Sequence, residues 1–225
     1  AGSTGKIAWG FTNSNVDTAD LILIETNPDN PSEYLTVTGP RVFTERRETI
    51  QVADGQSVEM VVKDTIFGPV IRADGRDYAI QWIAHQPGAV NLELGQFEYI
   101  ENVDEALRVA PGLGMPPQNL AVVDSAGNAG GTLIGAIPAP RDGLDRKRAI
   151  RSSKATPLRR LTPRRTPRIV NPADGNIYSA NSRIVSARDY PGLSDGSYSL
   201  GARQAQIRDG LKSRTQVAEA DMLAI

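Results

Sequence analysis

The sequence predicts an α+β protein in which strands dominate and helices gather towards the C-terminal end. Three observations predict it. Aromatic residues are only 5% of the 225, whereas there are 21 Gly and 15 Pro, and a chain so punctuated favours many short strands and turns over a helix bundle. The first hundred residues repeat β-branched or alternating apolar runs, separated by turn residues. Helical spacing of apolar residues appears only later, in 91–109 and after 202.

Lys6–Gly10 opens the chain as an apolar strand, and Leu21–Ile24, Glu33–Val37, Glu48–Val52, Val58–Lys63 and Tyr78–Ile83 follow as further strands. Pro28-Asp29-Asn30-Pro31, Asp54-Gly55 and Asp74-Gly75 separate them, the Asp-Gly pairs marking hairpins. In 91–109, Phe97, Ile100 and Leu107 approximate a 3.6-residue period, and Gly112 to Pro117 ends it. Asn119–Asp124 and Thr132–Ile137 then form a hairpin around Ser125-Ala126-Gly127-Asn128. Residues 142–168 are polar, basic and broken by proline, as a long surface connection would be. Ile169 to Ile177 is a strand running into a turn, and 202–211 and 216–225 are helical. The chain thus divides into a strand-rich 1–90, a helix and hairpin in 91–141, the basic connection 142–168, and a strand followed by helices in 169–225, all within one domain.

Several chemistries are excluded. With no Cys there are no disulfides, thiolate metal sites or Cys nucleophile. A single His, His85, leaves no His-rich metal site and no Ser-His-Asp triad to build, and it reads as a structural loop residue. No apolar run approaches the ~20 residues of a membrane span, and no signal-peptide core is present. Ser3-Thr4-Gly5-Lys6 lacks the spacing of a phosphate-binding loop. Charge is uneven: Arg146 to Arg168 holds ten Lys or Arg and no acid, leaving 15 basic against 26 acidic residues elsewhere. Such a stretch could bind nucleic acid or an acidic partner, but it lacks interleaved aromatics, and its prolines prevent one continuous basic helix.

The most specific stretch is Ile7-Ala8-Trp9-Gly10-Phe11-Thr12-Asn13, followed by Asp17 and Asp20. Further along stand Phe67-Gly68-Pro69-Val70 with Tyr78-Ala79-Ile80-Gln81-Trp82, then Pro116-Pro117-Gln118-Asn119 with Asp124 and Gly127-Asn128. Gly135-Ala136-Ile137-Pro138, Asn171-Pro172-Ala173-Asp174-Gly175 with Ala180-Asn181, and Arg203 to Ile207 complete the set. In this order the pieces resemble the penicillin acylase (penicillin amidase) family of N-terminal nucleophile hydrolases. Phe67 stands where the family usually has His, and Ala139-Pro140 puts an extra residue before Arg141.

The resemblance implies the central fragment of a catalytic chain and the strand-rich portion of a four-layer αββα sandwich. The implied reaction is hydrolysis of an N-acyl amide, such as a β-lactam side chain or an acyl homoserine lactone, through an acyl-enzyme on an N-terminal Ser. That Ser has no counterpart here: Ala1 carries no nucleophile, and Ser3 and Thr4 are not terminal. The chain alone is therefore expected to be inactive and to need upstream acylase segments or chains as partners. A periplasmic or extracellular setting is also implied, with no organic cofactor. A non-catalytic binding scaffold of the same fold is the alternative.

Three residues are implied in catalysis. Asn119 corresponds to the asparagine whose side-chain amide stabilises the oxyanion; without the resemblance it reads as a turn residue after Pro-Pro. Asn13 corresponds to the backbone N–H that is the second donor. Arg141 corresponds to an arginine near that asparagine, or is a surface residue. Asp17, the Ala19 carbonyl and Asp20 correspond to ligands of a structural calcium; oxygen donors from a short loop suit a hard cation, and so does a solvated loop with Asx turns. Two carboxylates are too few for a full calcium shell.

Overall fold

The computed structural model describes residues 1–141, 148–186, 188, 192–194 and 196–225. Its strands are β1 (Gly2–Ser3), β2 (Ile7–Asn13), β3 (Ala19–Leu23), β4 (Thr26–Asn27), β5 (Asn30–Thr36), β6 (Gly39–Val42), β7 (Thr44–Ile50), β8 (Val58–Thr65), β9 (Gly68–Ala73), β10 (Arg76–Trp82), β11 (Gln118–Asp124), β12 (Ala129–Ile134), β13 (Ile150–Arg151) and β14 (Arg168–Val170). The α-helices are α1 (Val103–Val109), α2 (Ala202–Lys212) and α3 (Glu219–Met222). They divide between two compact units, 1–17 with 87–140 and 160–225, and 18–86 with 141–159. The protein is strand-rich with few helices, as composition and periodicity predict.

The first unit is built on an antiparallel sheet in the order β1-β2-β11-β12-β14. Alternation along β11 splits its residues between two faces. Leu120 and Val122 face one core with Ile7, Phe97, Leu107 and Ile134. There α1 lies so close over β12 that a Cβ on Gly130 would stand 2.5 Å from Val103 Cγ1. On the other face Leu133 joins Val16, Ile137, Leu161 and Leu193. The β11–β12 turn is held by Asp124, whose carboxylate accepts from the backbone N–H of Asn128 (2.9 Å), Ala126 (3.1 Å) and Val103 (3.1 Å). These donors, those of Asn128 foremost, hold the Asp124 carboxyl below its ordinary pKa.

The second unit carries a mixed sheet, β13-β3-β10-β9-β8-β7, in which β13 alone runs parallel to its neighbour, and a small sheet β4-β5-β6. Between β9 and β10, Asp74 and Gly75 have φ of +50° and +73°, the left-handed pair that a two-residue I′ turn requires. Ile22, Tyr34, Phe43, Phe67 and Ala79 share a core, and Phe67 meets Tyr34 edge-on at 6.3 Å. The residue that departs from the family's usual His is thus a packing residue here. By contrast β7 and the first half of β8 form a two-stranded ribbon in which Ile50, Val58 and Met60 are exposed.

Two sequence expectations change. The single helix expected over 91–109 is a 3₁₀ segment, Glu93–Glu98, followed by α1. The break comes at Asn102, which is extended and whose side chain accepts from Glu105 N at 2.9 Å, an N-cap that starts a new helix. The stretch read as a surface connection is more integrated than its composition suggests. Its first part, 142–147, lies outside the described residues. Beyond it, Ile150 lies beside Ile22 in the sheet, and Ser152, Ala155, Leu158 and Leu161 are buried, so the apolar residues between the arginines anchor the segment.

Candidate functional site

In the first unit β2 and β11 pair with Thr12 opposite Asn119 and Asn13 opposite Gln118. Because opposed residues share a face, Thr12 and Asn119 point the same way, away from the α1 core. Asn119 is 3% exposed. Its Nδ2 lies 3.0 Å from Ser179 Oγ, 3.1 Å from Thr12 Oγ1 and 3.3 Å from the Asn13 carbonyl oxygen. Thr12 Oγ1 and Ser179 Oγ are themselves 2.8 Å apart. Among the described residues no donor reaches Asn119 Oδ1, although it is buried. A buried acceptor left without a partner costs on the order of 1–3 kcal/mol.

The surrounding backbone is tied down. Ser14 is buried and donates to the Pro117 carbonyl at 2.9 Å, which fixes the end of β2 against the start of β11. Asn15 and Asn181 both have left-handed backbones, at φ +49° and +63°, which asparagine tolerates better than most residues. They are linked by an Asn15 Nδ2 to Asn181 O bond of 2.8 Å. From α2, Arg203 donates to Ala180 O (3.1 Å) and to Asn181 Oδ1 (2.9 Å). The implied catalytic residues Asn119 and Asn13 are therefore brought together, one buried and one exposed at the end of its strand. Thr12, Ser14 and Ser179 join them without having been singled out from the sequence. Thr12 could have been found from strand alternation next to Asn13. Ser179 is sixty residues from Asn119 in sequence, and no local pattern marks it.

Arg141 belongs to the second unit. Its guanidinium donates to Gln81 Oε1 and Thr156 O, both at 3.0 Å, and forms an ion pair with Asp20. The Asp20 side chain is 2% exposed and that of Arg141 13%. A charge pair that dry persists only when both partners and their remaining donors are satisfied. In the same unit, Glu25 accepts from Arg151 Nε (2.7 Å) and from Ser153 N (3.1 Å). The Arg151 guanidinium first, with Ser153, pulls the Glu25 carboxyl down to about 2.

These contacts bear on the calcium expectation. The Asp20 carboxylate is already paired with a guanidinium, and Ala19 lies in the ladder between β3 and β10. Asp17 N donates to the Leu193 carbonyl at 2.9 Å. Among the described residues no three His, Cys, Asp or Glu side chains converge on a metal position. The Asp20 carboxylate is thus committed to Arg141 in this arrangement. Among the described residues no helix is long and apolar enough to cross a membrane.

The same chain is similar to known proteins. It is 26% identical over 207 residues to penicillin G acylase of Escherichia coli, covering 84% of this chain and 23% of that protein. Its structure is similar to a thermostable penicillin G acylase from Alcaligenes faecalis with a TM-score of 0.81 at 21% identity, over 97% of this chain and 40% of the other; at that identity the likeness speaks for the fold. The chain thus spans well under half the length of either relative. The family model of penicillin amidase matches residues 1–225, and the chain belongs to the penicillin amidase family of amide hydrolases.

Proposed function

We propose that these 225 residues supply the oxyanion-stabilising side of a penicillin-acylase-type active site that cleaves N-acyl amides. The observation that carries this reading is the buried, strand-mounted Asn119 carboxamide beside Asn13, with an orphaned polar end and a fixed surround. When a nucleophile adds to an amide carbonyl, negative charge develops on oxygen. Donors already aimed at that position stabilise the transition state more than the substrate, and losing one costs roughly 3–4 kcal/mol in well-studied proteases. In this reading the Asn119 side-chain amide and the Asn13 backbone N–H are the two donors. A carboxamide suits the task because it donates without a titratable proton.

The nucleophile is assigned to a part of the protein outside these residues, an N-terminal Ser in the same αββα architecture, whose own α-amino group acts as base. Arg141 holds Asp20 in place in this reading and does not touch the reacting atoms. Calcium at Asp17, Ala19 and Asp20 would need Asp20 released from Arg141 and further oxygen ligands from elsewhere. A periplasmic or extracellular site of action belongs to the same reading, as does a partner segment produced by precursor processing.

The test is hydrolysis of penicillin G, with an acyl homoserine lactone as second substrate, alongside native mass spectrometry of the same preparation. Turnover is expected only where a chain beginning with Ser, Thr or Cys accompanies this one. Asn119→Leu is expected to lower kcat by about 100- to 1,000-fold in such an assembly. Turnover by the 225-residue chain alone would overturn the assignment of the nucleophile, and an active Asn119→Leu assembly would overturn that of the oxyanion donor.

A further inference from the structure

Three observations converge on one hydroxyl. Asn119 Nδ2 makes its shortest contact, 3.0 Å, with Ser179 Oγ. Ser179 Oγ lies 2.8 Å from Thr12 Oγ1, which also contacts Nδ2. The opposite end of the same carboxamide, Oδ1, is buried with no donor among the described residues. We propose that Ser179 is a positioning residue for Asn119, and that its hydroxyl, paired with Thr12, sets which end of the carboxamide faces the reacting carbonyl. This rests on the oxyanion reading of Asn119.

A hydroxyl carries one donor and two acceptor positions, and its hydrogen rotates to suit; a carboxamide has a donor end and an acceptor end of nearly equal size. With Nδ2 turned towards the two hydroxyls and Asn13 O, both amide hydrogens are committed to three oxygens, and none is left for an incoming anion. If the amide turns through half a rotation, Oδ1 accepts from the hydroxyls, and Nδ2 takes the position of the orphaned Oδ1. No donor occupies that position among the described residues. The turned state brings Oδ1 towards Asn13 O, so it is held in reserve, and a developing oxyanion favours it. Thr12 and Ser179 can serve both states because each hydroxyl can donate or accept. A side chain with only one of those capacities would lock one orientation.

The fold places this hydroxyl deliberately. The carbonyls on both sides of Ser179 are bound by successive residues of α2, Gln204 Nε2 to Tyr178 O at 3.3 Å and Arg203 Nη2 to Ala180 O at 3.1 Å. The helix thus binds the backbone on both sides of Ser179.

The test has two readouts. In the whole protein, exchange of the two Asn119 Nδ2 hydrogens with solvent is followed by NMR. Ser179→Ala is expected to speed that exchange by roughly tenfold or more while leaving backbone exchange in β11 unchanged, and Ser179→Thr to restore it. In the protein carrying its nucleophile, Ser179→Ala is expected to lower kcat by about 10- to 100-fold with little change in KM, because the contact it supports forms only in the transition state. If Ser179→Ala does not fold, Ser179→Cys, similar in size and weaker in hydrogen bonding, is expected to move both readouts the same way. Unchanged exchange overturns the positioning role even in a protein that hydrolyses amides. Faster exchange with unchanged kcat also overturns it. Faster exchange in a protein that hydrolyses no amide upholds the hydrogen bonding of Ser179 and overturns the catalytic reading it was assigned to serve.

Discussion

Each unit buries a polar side chain against a strand, and the two are built to opposite plans. In the second unit, Asp20 and Arg141 form a buried charge pair, with Gln81 Oε1 and the Thr156 carbonyl also accepting from the guanidinium. In the first, Asn119 is equally buried yet keeps one end without a partner. A closed network in a low-dielectric interior stabilises a fold only as a whole, and removing one member leaves an uncompensated charge. An open one stabilises less and keeps a hydrogen-bonding group in reserve. The difference separates a charged side chain paired in its surroundings from a carboxamide with one end unpaired, although both residues read as catalytic candidates in the sequence.

The largest effect expected from this contrast is on stability at Arg141. Arg141→Met removes the guanidinium from the buried Asp20 carboxylate, and urea unfolding should show a loss of about 3–5 kcal/mol. Asn119→Leu, at a site of similar burial, should cost less, about 1–3 kcal/mol, because hydrogen bonds are lost but no charge is left buried. Equal losses would erase the distinction between the two sites. The double variant Asp20→Leu with Arg141→Met should recover most of the loss, since no charge is then left buried.

Acid sharpens the comparison further. The Glu25 carboxyl is held down to about 2 in the folded protein, against an ordinary value near 4.5. A depressed carboxyl adds stability that is complete above its unfolded pKa and is lost as pH falls through the folded one. Wild-type protein should therefore lose stability from about pH 4.5 to about pH 2 on this account, by about 1 kcal/mol once screening at the exposed Arg151 is allowed for. Glu25→Gln should flatten that part of a stability–pH curve measured by thermal unfolding. The smallest effect belongs to the exposed ribbon. Met60→Gln, at a side 44% exposed, should change stability by no more than about 0.5 kcal/mol, whereas Leu120→Ala in the packed hairpin should cost about 2–5 kcal/mol.

Much was legible in the chain because it is local. The hairpin of β11 and β12, the I′ turn at Asp74-Gly75, and the strands of the first eighty residues follow from alternation and turn chemistry within a few residues. The order of family motifs pointed to Asn119 and Asn13 because those residues sit within recognisable runs. Boundaries moved where a short-range rule competed with another: Asn102 reads as an ordinary helix position until its side chain is seen to cap Glu105 N.

The sequence by itself determined the class of fold, the family and the strand that carries Asn119, since each rests on patterns a few residues long. Only the tertiary structure decided which partner each polar residue meets. Ser179 reaches Asn119 across sixty residues, and Arg141 reaches Asp20 across 121, where its side chain closes an ion pair. The buried anchors Ile150, Leu158 and Leu161 are hidden among arginines whose charge dominates any local average. Hydrogen bonding and burial at such separations depend on where distant backbone segments meet, which is a property of the whole packing and not of any window along the chain.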